Sequence, residues 1–401
     1  MLLENYRRAP VTFVQGQGCD LIDDRGERYL DCIGGIAVCA LGHAHPEITA
    51  AVAEQAAKLV HASNLFGHEP AATLAQELAR RSGFERVFFC NSGTESNEAA
   101  IKLARKFAYR SGQTERTDIV SCEGGFHGRT MGALAATANP AYHEGFHPLP
   151  GGFRTVPFND IAALDATIDD RTAAFIVEPV QGENGVLAAD KAYLQAAREI
   201  CTKRGALLIF DEVQCGMGRL GPLFAFEYFG VQPDALTLAK ALANGLPIGA
   251  MLVREHFAGA LQPGDHGSTF GGSPVPCAAA LAHLRVRDET ALEQHVKEVS
   301  STLFGGLREV ARRYPDIYGQ PRGIGLLAGL PVAAGHDAAA VVEHAREVSH
   351  VLVNKAAGNT IRLAPPLIIG EAEVGRAVQA LDAAARALVK SSHVRHASAV
   401  F

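Results

Sequence analysis

The chain has 401 residues, of which 48% are hydrophobic and 20% are charged. This is the balance of a globular protein, and the length allows two domains, since a domain usually holds about 100–200 residues. The formal net charge is -6, with both signs mixed along the chain. Nucleic-acid and membrane partners favour basic clusters, so the charge argues against both.

The cysteines and the first residues indicate a compartment. No two of the eight cysteines form a C-x-x-C pair, which argues against zinc-ribbon and redox motifs. We interpret them as free thiols in a reducing compartment. The chain shows no secretory or transit signal at its start and no apolar run long enough to span a membrane. We therefore expect a soluble, cytoplasmic protein, with a loosely held tail at residues 391–400.

The first elements in chain order are short strands. Residues 11–32 alternate in polarity and carry turn signals, which is typical of small antiparallel strands. Helical segments then alternate with short apolar strands, which lie at 86–90, 117–122, 173–180 and 206–213. Residues 190–205 fit a crossover helix, with Asp190 and Gly205 as candidate caps. The alternation predicts a mostly parallel sheet covered by helices on both faces.

The last part of the chain has a different pattern, with long helices and strand-like segments at 322–330 and 351–369. We predict an α/β protein of two domains. Residues 51–285 would form the large sheet domain. Residues 1–50 and 286–401 would together form a smaller α+β domain.

Ligands of parallel sheets bind at the carboxyl ends of strands, and the first candidate group lies there. The segment NSGTESNEAAIKLARKF (91–107) follows the strand at 86–90. The backbone N–H groups of Gly93 and Thr94, together with the positive end of the following helix, favour a phosphate. The alternative is an ordinary capped helix start.

Two loops supply side chains for a planar ligand and its charged groups. In SCEGGFHGRT (121–130), Phe126 could stack on a flat ring, and Arg129 could clamp a carboxylate with two parallel hydrogen bonds. The alternative is a surface loop with one exposed arginine. In HGSTFGGSPVPCAA (266–279), Ser268 and Thr269 could donate to a phosphate or carboxylate, or the loop is a simple turn.

An aspartate and a lysine follow buried strands. Asp211 and Glu212 end the strand at 206–213, and a buried carboxylate needs a partner such as a pyridinium N–H. The alternatives are a Mg²⁺ ligand or a helix cap. Lys240 follows the apolar run LTLA, and poor solvation there would lower its pKa and leave the amine nucleophilic, as a Schiff base requires. The alternative is an ordinary surface lysine. Taken together, these groups match the needs of pyridoxal phosphate.

These motifs resemble the class-III aminotransferases of pyridoxal-phosphate fold type I. The resemblance runs from GGIAVCALGHAHPEI (34–48) to IRLAPPLII (361–369) and includes DEVQ followed by AKAL. Within the family, SNLFGHEPA (63–71), NSGTESNEAA and HGSTFGG are most similar to the members that act on acetylornithine. The fold and the cofactor are expected to be those of the family.

The resemblance implies a role for each residue near the cofactor. Lys240 would hold pyridoxal phosphate as a Schiff base and act as general base. Asp211 would pair with the ring nitrogen, and Gln214 with the ring 3-oxygen. The other cofactor contacts would be Gly93 and Thr94 on the phosphate, Phe126 on the ring face, and Thr269 on the phosphate of the neighbouring subunit.

The resemblance also implies how substrates bind. Arg129 would take the carboxylate of acetylornithine, and Arg362 the α-carboxylate of glutamate. Glu183 would pair with Arg362 when glutamate is absent, since a buried unpaired arginine is costly. Ser268 would reach the substrate of the neighbouring subunit in a homodimer. The expected ping-pong reaction converts N2-acetylornithine and 2-oxoglutarate into N-acetylglutamate 5-semialdehyde and glutamate, a step of arginine biosynthesis.

Several alternatives stay open. Ornithine aminotransferases usually carry tyrosine where this chain has Ile36, whereas 4-aminobutyrate aminotransferases share the isoleucine. Succinylornithine is a further substrate, and an aminomutase of the glutamate-semialdehyde type would need no second amino acceptor. A binding protein without activity would be expected to lack Lys240. His43 and His45 lack a third ligand, so we expect a packed turn and no metal site.

Overall fold

The computed structural model describes the backbone of residues 1–398 and the side chains of residues 1–390. The expected tail at 391–400 therefore lies outside the residues whose side chains are described. The strands are β1 (Phe13–Gln17), β2 (Asp20–Asp23), β3 (Arg28–Asp31), β4 (Arg86–Cys90), β5 (Asp118–Cys122), β6 (Phe153–Val156), β7 (Thr172–Val177), β8 (Val180–Gln181), β9 (Leu187–Ala188), β10 (Leu207–Asp211), β11 (Ala235–Leu238), β12 (Gly249–Val253), β13 (Arg322–Ile324), β14 (Leu327–Pro331), β15 (Val351–Leu352), β16 (Asn354–Ala356) and β17 (Thr360–Leu363).

Helices connect and cover these strands. They are α1 (Gly34–Ala37), α2 (Pro46–Lys58), α3 (Glu69–Ser82), α4 (Gly93–Arg110), α5 (Met131–Ala136), α6 (Pro140–His143), α7 (Ile161–Thr167), α8 (Lys191–Arg204), α9 (Ala225–Phe229), α10 (Glu255–Ala258), α11 (Pro274–Glu289), α12 (Leu292–Arg313), α13 (Ala338–Ser349) and α14 (Glu371–Ser398). A 3-10 turn spans Lys240–Ala243. No helix within the described residues is long and apolar enough to cross a membrane.

The largest sheet has seven strands in the order β4-β12-β11-β10-β7-β5-β6. Strands β11, β10, β7, β5 and β6 run parallel to one another, which confirms the mostly parallel sheet. Strand β12 is antiparallel to both β11 and β4, which the sequence analysis did not predict. A parallel return would need a long crossover, but only a 3-10 turn and a short loop connect β11 to β12.

The central strands are buried along their whole length, because helices cover both faces of the sheet. Every residue of β7 and β10 is buried, and their side chains are almost all apolar. The predicted crossover helix is α8, which ends at Gly205 in the left-handed conformation (φ 71°). Asp190 stands at its N-cap position without a side-chain capping bond. The sequence pattern therefore placed this helix correctly.

Two smaller four-stranded sheets lie outside the large one. The first has the order β1-β2-β3-β15 and joins strands from both ends of the chain. Its first three strands are antiparallel, as expected for residues 11–32. The second has the order β13-β14-β17-β16. The pairing of β3 with β15 supports a small domain built from both termini, while its limits at residues 50 and 285 stay a prediction.

Candidate active site

A cavity of about 370 Å³ opens at the carboxyl ends of the parallel strands. The residues predicted to hold a cofactor meet in its wall, since β4, β5, β10 and β11 all end there. Seven of the predicted site residues line the cavity: Gly93, Thr94, Phe126, Arg129, Asp211, Gln214 and Lys240. The position of the cavity is the usual one for an α/β sheet.

The first turn of α4 forms one side of the cavity. Ser92 caps the helix by accepting a bond from the Glu95 N–H (3.3 Å). The first N–H groups of a helix have no partner within it, so those of Gly93 and Thr94 are suited to an anion. Gly93 has to be glycine, because a Cβ there would lie 2.6 Å from Cγ1 of Val213.

Asp211 is 2% exposed and is held by three donors. Its Oδ2 accepts bonds from Nδ2 of Asn97 (2.7 Å) and Nδ1 of His127 (2.8 Å), and its Oδ1 accepts one from the Val213 N–H (3.0 Å). Each carboxylate oxygen has room for about two donors, so one position on Oδ1 stays open. A ring N–H in the cavity would fill it.

The adjacent acid, Glu212, has a different role. Its two oxygens accept bonds from the Ala225 and Phe226 N–H groups (2.6 and 2.7 Å), at the start of α9. Burial raises the pKa of Glu212 to about 8, although these two hydrogen bonds act to lower it. Of the alternatives considered for this acidic pair, a helix cap therefore holds for Glu212, while Asp211 faces the cavity.

Lys240 begins the 3-10 turn after β11 and lines the cavity beside Asp211. Its φ of 44° lies in the left-handed region, which a residue with a side chain adopts at a cost of about 1–3 kcal/mol. Burial lowers the pKa of its amine below the ordinary value, more than the charges of Glu183 and Asp211 raise it. The lysine is therefore suited to act as a nucleophile.

The loop after β5 supplies an aromatic ring, and a buried acid holds that loop. The Phe126 N–H donates to Oε1 of Glu178 (2.8 Å), and both residues line the cavity. Burial and then the charge of Asp211 raise the pKa of Glu178 well above its ordinary value. Both effects disfavour the ionised form of this carboxyl.

Arg129 lies at the open side of the cavity and is exposed. Its guanidinium lies 3.9 Å from the ring centre of Tyr142 and 5.3 Å from that of Phe126. Its backbone N–H donates to Oγ1 of Thr94 (3.2 Å). The charged group thus rests on aromatic faces at the mouth of the cavity, and no carboxylate of residues 1–390 pairs with it.

Glu183 and Arg362 lie beside the cavity and contact each other. Nη1 of Arg362 donates to Oε1 of Glu183 (2.5 Å) and to Oε1 of Gln214 (3.1 Å). Nε2 of Gln214 also lies 3.3 Å from Oε1 of Glu183. Burial opposes ionisation of Glu183, but Arg362 outweighs it and holds the pKa of the carboxyl below its ordinary value. The structure thus brings together the two residues that the sequence analysis paired.

Ser268 and Thr269 lie outside this cavity. Oγ of Ser268 accepts a bond from Nδ2 of Asn91 (3.1 Å). Thr269 is exposed and lies beside Asn64 in a separate, small depression. The chain therefore does not bring Thr269 to its own Lys240.

The two histidines of GHAHP form part of a turn. Nε2 of His43 lies 2.8 Å from Oδ2 of Asp31, and this carboxylate raises the pKa of His43 to about 9. His45 precedes α2 without capping it through its side chain. Within the described residues, no three side chains form a group able to hold a metal ion.

The comparison with known proteins settles the family. The profile of the class-III aminotransferases matches residues 2–385. The chain belongs to the class-III aminotransferases. It is 46% identical to the acetylornithine aminotransferase of Methanocaldococcus jannaschii, over 95% of this chain and 94% of that protein. Class-III aminotransferases depend on pyridoxal phosphate, so this chain is a pyridoxal-phosphate-dependent transaminase of fold type I.

Two solved structures show the same fold in other members of the family. The N-acetylornithine aminotransferase of Stenotrophomonas maltophilia has a TM-score of 0.84 at 37% identity, covering 96% of this chain and 98% of that one. An ornithine aminotransferase of Toxoplasma gondii, described with partial occupancy of pyridoxal phosphate, has a TM-score of 0.93 at 33% identity, covering 97% and 93%. The overall fold therefore does not distinguish a class-III aminotransferase named for acetylornithine from one named for ornithine.

The residues present fit pyridoxal phosphate. The cavity offers an amine at Lys240, an open acceptor position at Asp211, a flat ring at Phe126 and helix N–H groups at Gly93 and Thr94. The sequence analysis assigned no role to Asn97, His127, Glu178 or Tyr142. Glu178 could have been found, because it ends a buried strand as Asp211 does. A polar residue inside a helix, such as Asn97, gave no comparable signal.

Proposed function

We propose that this aminotransferase transfers the amino group between N2-acetylornithine and 2-oxoglutarate. The observation that carries the proposal is the pair of arginines at the cavity, Arg129 at its mouth and Arg362 bound to Glu183 beside Gln214. The curated relatives named acetylornithine aminotransferase, at 44–47% identity, support the same substrate. The reaction would serve arginine biosynthesis.

The residues of this chain divide the chemistry between binding and proton transfer. Pyridoxal phosphate supplies, when bound, an aldehyde carbon and a ring that accepts electrons. Lys240 would hold that carbon and later move the proton of the substrate carbon, for which a low amine pKa is suited. Asp211 would keep the ring nitrogen protonated, Gln214 would bind the ring 3-oxygen, and Phe126 would cover one ring face. Gly93 and Thr94 would bind the phosphate at the start of α4.

Glu183 would let one cavity accept two different substrates in turn. While Glu183 neutralises Arg362, a substrate with a remote carboxylate would bind through Arg129 alone. When glutamate arrives, its α-carboxylate would displace Glu183 from Arg362. Glu183 is suited to this movement because its side chain is 28% exposed, whereas Arg362 is 1% exposed and is anchored to the carbonyl of Gly182.

A homodimer is part of the proposal. Large apolar side chains stand exposed around the loop that carries Ser268 and Thr269, and a second copy of the chain would cover them. They are Leu59, Val60, Leu65, Phe66 and Phe270. Thr269 would then contact the phosphate, and Ser268 the substrate, in the site of the partner. A reducing cytoplasm would suit the free cysteines.

Complementation tests the shared sites. Mixing subunits of Lys240→Ala with subunits of Thr269→Ala should give activity above the mean of the separate variants. In each mixed dimer, one site would combine an intact Lys240 with an intact Thr269. No gain on mixing, with subunit exchange shown by mass spectrometry of tagged chains, would contradict shared sites.

An absorbance titration of the cofactor-loaded protein tests the substrate. N2-acetylornithine should convert the bound cofactor from its aldehyde-derived form to its amine form, and 2-oxoglutarate should restore it. Ornithine and 4-aminobutyrate, as matched controls, should act only at much higher concentrations. Conversion by 4-aminobutyrate but not by acetylornithine would overturn the substrate. Turnover without any 2-oxo acid would favour an aminomutase.

A further inference from the structure

A buried amide, that of Asn97, lies beside Asp211 in the wall of the cavity. Asn97 is 1% exposed and stands on α4 one helical turn after Gly93, so the two residues share a helix face. Its Nδ2 lies 2.7 Å from Oδ2 of Asp211 and 2.7 Å from the carbonyl oxygen of His127. Its Oδ1 accepts a bond from Oγ1 of Thr237 (2.7 Å).

These contacts fix which way the amide faces. The carbonyl oxygen of His127 can only accept, so the nitrogen of the amide has to face it. The same nitrogen therefore donates to Asp211. A donor next to a carboxylate stabilises its ionised form, and the bond is a strong one because the acceptor carries the charge. Asn97 is thus an interior donor that fixes the position of the Asp211 carboxylate.

The other half of the amide reaches the strand that leads to Lys240. Asp211 on β10 and Thr237 on β11 are direct neighbours in the parallel register. Asn97 bonds to both, and Lys240 follows Thr237 by three residues. One side chain therefore connects the helix that begins at Gly93, the strand that ends at Asp211 and the strand that ends before Lys240.

We propose that Asn97 is a positioning residue for the reaction. It keeps Oδ1 of Asp211 directed at the ring nitrogen of the cofactor and fixes the distance from that carboxylate to Lys240. It acts through its hydrogen bonds to Asp211 and Thr237. The inference rests on the proposed roles of Asp211 and Lys240 in the proposed function.

Asn97→Asp is the decisive variant because it keeps the size of the side chain. The new carboxylate would stand 2.7 Å from Oδ2 of Asp211, and two carboxylates at that distance share a proton. We expect affinity for pyridoxal phosphate, measured by calorimetry on the cofactor-free protein, to fall about tenfold to a hundredfold. In the loaded enzyme kcat should fall similarly, while KM for acetylornithine should change less than about threefold.

Thr237 gives a second variant that keeps the donor on Asp211. Thr237→Val is close to the same size but lacks the hydroxyl, so the amide loses its link to β11. We expect affinity for pyridoxal phosphate and kcat to fall about threefold to tenfold. Thr237→Ser should restore both, because it returns the hydroxyl. Asn159→Asp is the control, since the amide of Asn159 also links separate segments, through the Ala188 carbonyl and the Asp190 N–H, but does not line the cavity.

The outcomes separate the possibilities. A purely structural role predicts a lower melting temperature of the cofactor-free protein with an unchanged kcat, and that result would overturn the proposal. Equal cofactor affinities for Asn97→Asp and Asn159→Asp would also overturn it. If Asn97→Asp does not fold, Thr237→Val and its serine rescue decide. If the unaltered protein binds no pyridoxal phosphate, the proposed function fails instead.

Discussion

The two ends of the cavity are built in different ways. At the cofactor end, Asp211 and Asn97 are 2% and 1% exposed, and hydrogen bonds within the chain hold both. At the substrate end, Arg129 is exposed and rests on the ring of Tyr142. The side chains at the cofactor end are therefore fixed before any ligand binds. At the substrate end, charged groups remain accessible for a ligand to bind.

The largest expected effect is at the cofactor end. Lys240→Ala should lower kcat by about 10⁴-fold or more, because it would remove the side chain that we propose as both nucleophile and proton carrier. A steady-state assay with acetylornithine and 2-oxoglutarate measures this. Circular dichroism should show an unchanged fold. The exposed Lys203→Ala is the control and should keep wild-type kcat.

The next effect tests whether the substrate end treats the two substrates separately. Arg129→Leu should weaken kcat/KM for acetylornithine by about 30-fold to 1,000-fold, the usual cost of removing one member of a close charge pair. Glutamate, whose α-carboxylate we propose to bind Arg362, should lose much less. Single-turnover kinetics of each half-reaction measure the two values. Equal losses would contradict the division, and the exposed Arg312→Leu is the control.

A third variant sharpens the comparison within the substrate end. Glu183→Gln leaves Arg362 without its negative partner before glutamate binds. We expect kcat/KM to shift toward glutamate and away from acetylornithine by about tenfold, which corresponds to roughly 1.4 kcal/mol. The ratio of the two half-reaction constants is the measurement. A ratio that stays at the wild-type value would exclude exchange at Arg362.

A smaller effect concerns the ring under Arg129. Tyr142→Leu keeps an apolar side chain but removes the cation–π contact, worth about 0.5–2 kcal/mol. We therefore expect KM for acetylornithine to rise about twofold to thirtyfold with kcat nearly unchanged. Tyr142→Phe should stay close to wild type. If phenylalanine is as poor as leucine, the hydroxyl and not the ring face matters.

The smallest expected effect is a pH dependence of the melting temperature, caused by the buried Glu212. Burial raises the pKa of Glu212 to about 8 in the folded chain, above the 4.5 of an ordinary glutamate. The stability it contributes is therefore complete below about pH 4.5 and is lost as the pH rises through about 8. The melting temperature of wild type minus that of Glu212→Gln should decrease between pH 5 and 8. The exposed Glu144→Gln should show no such trend.

The sequence predicted those structural features that depend on a single segment of the chain. The strand predicted at 86–90 matches β4, and the helix predicted at 190–205 matches α8 within one residue at each end. It could not predict the antiparallel course of β12, because no local pattern encodes strand direction. Asp211 and Lys240 were singled out because a charge beside an apolar strand is unusual, and the structure places both in the wall of the cavity. Asn97 was missed because its burial depends on three separate elements that meet only after folding.

The loop carrying Ser268 and Thr269 shows a second limit. Its sequence motif was recognised, yet one chain does not bring Thr269 to the cavity that holds Lys240. Whether it completes the site of a partner therefore stays a prediction, tested by the complementation described above. A site formed between two subunits has contacts that no single-chain pattern contains.

The antiparallel course of β12 also affects how this enzyme can change. The loops that follow the parallel strands lead into helices, so they can lengthen without disturbing the sheet. The connection after Lys240 is fixed at both ends, since Leu238 pairs with Ala250 and Gly249 pairs with Cys90. Extra residues there would displace Lys240 from the cavity or break the pairing of β12 with its neighbouring strands. Insertions that change the substrate preference should therefore occur in the other loops around the cavity. The connection between β11 and β12 should keep a constant length.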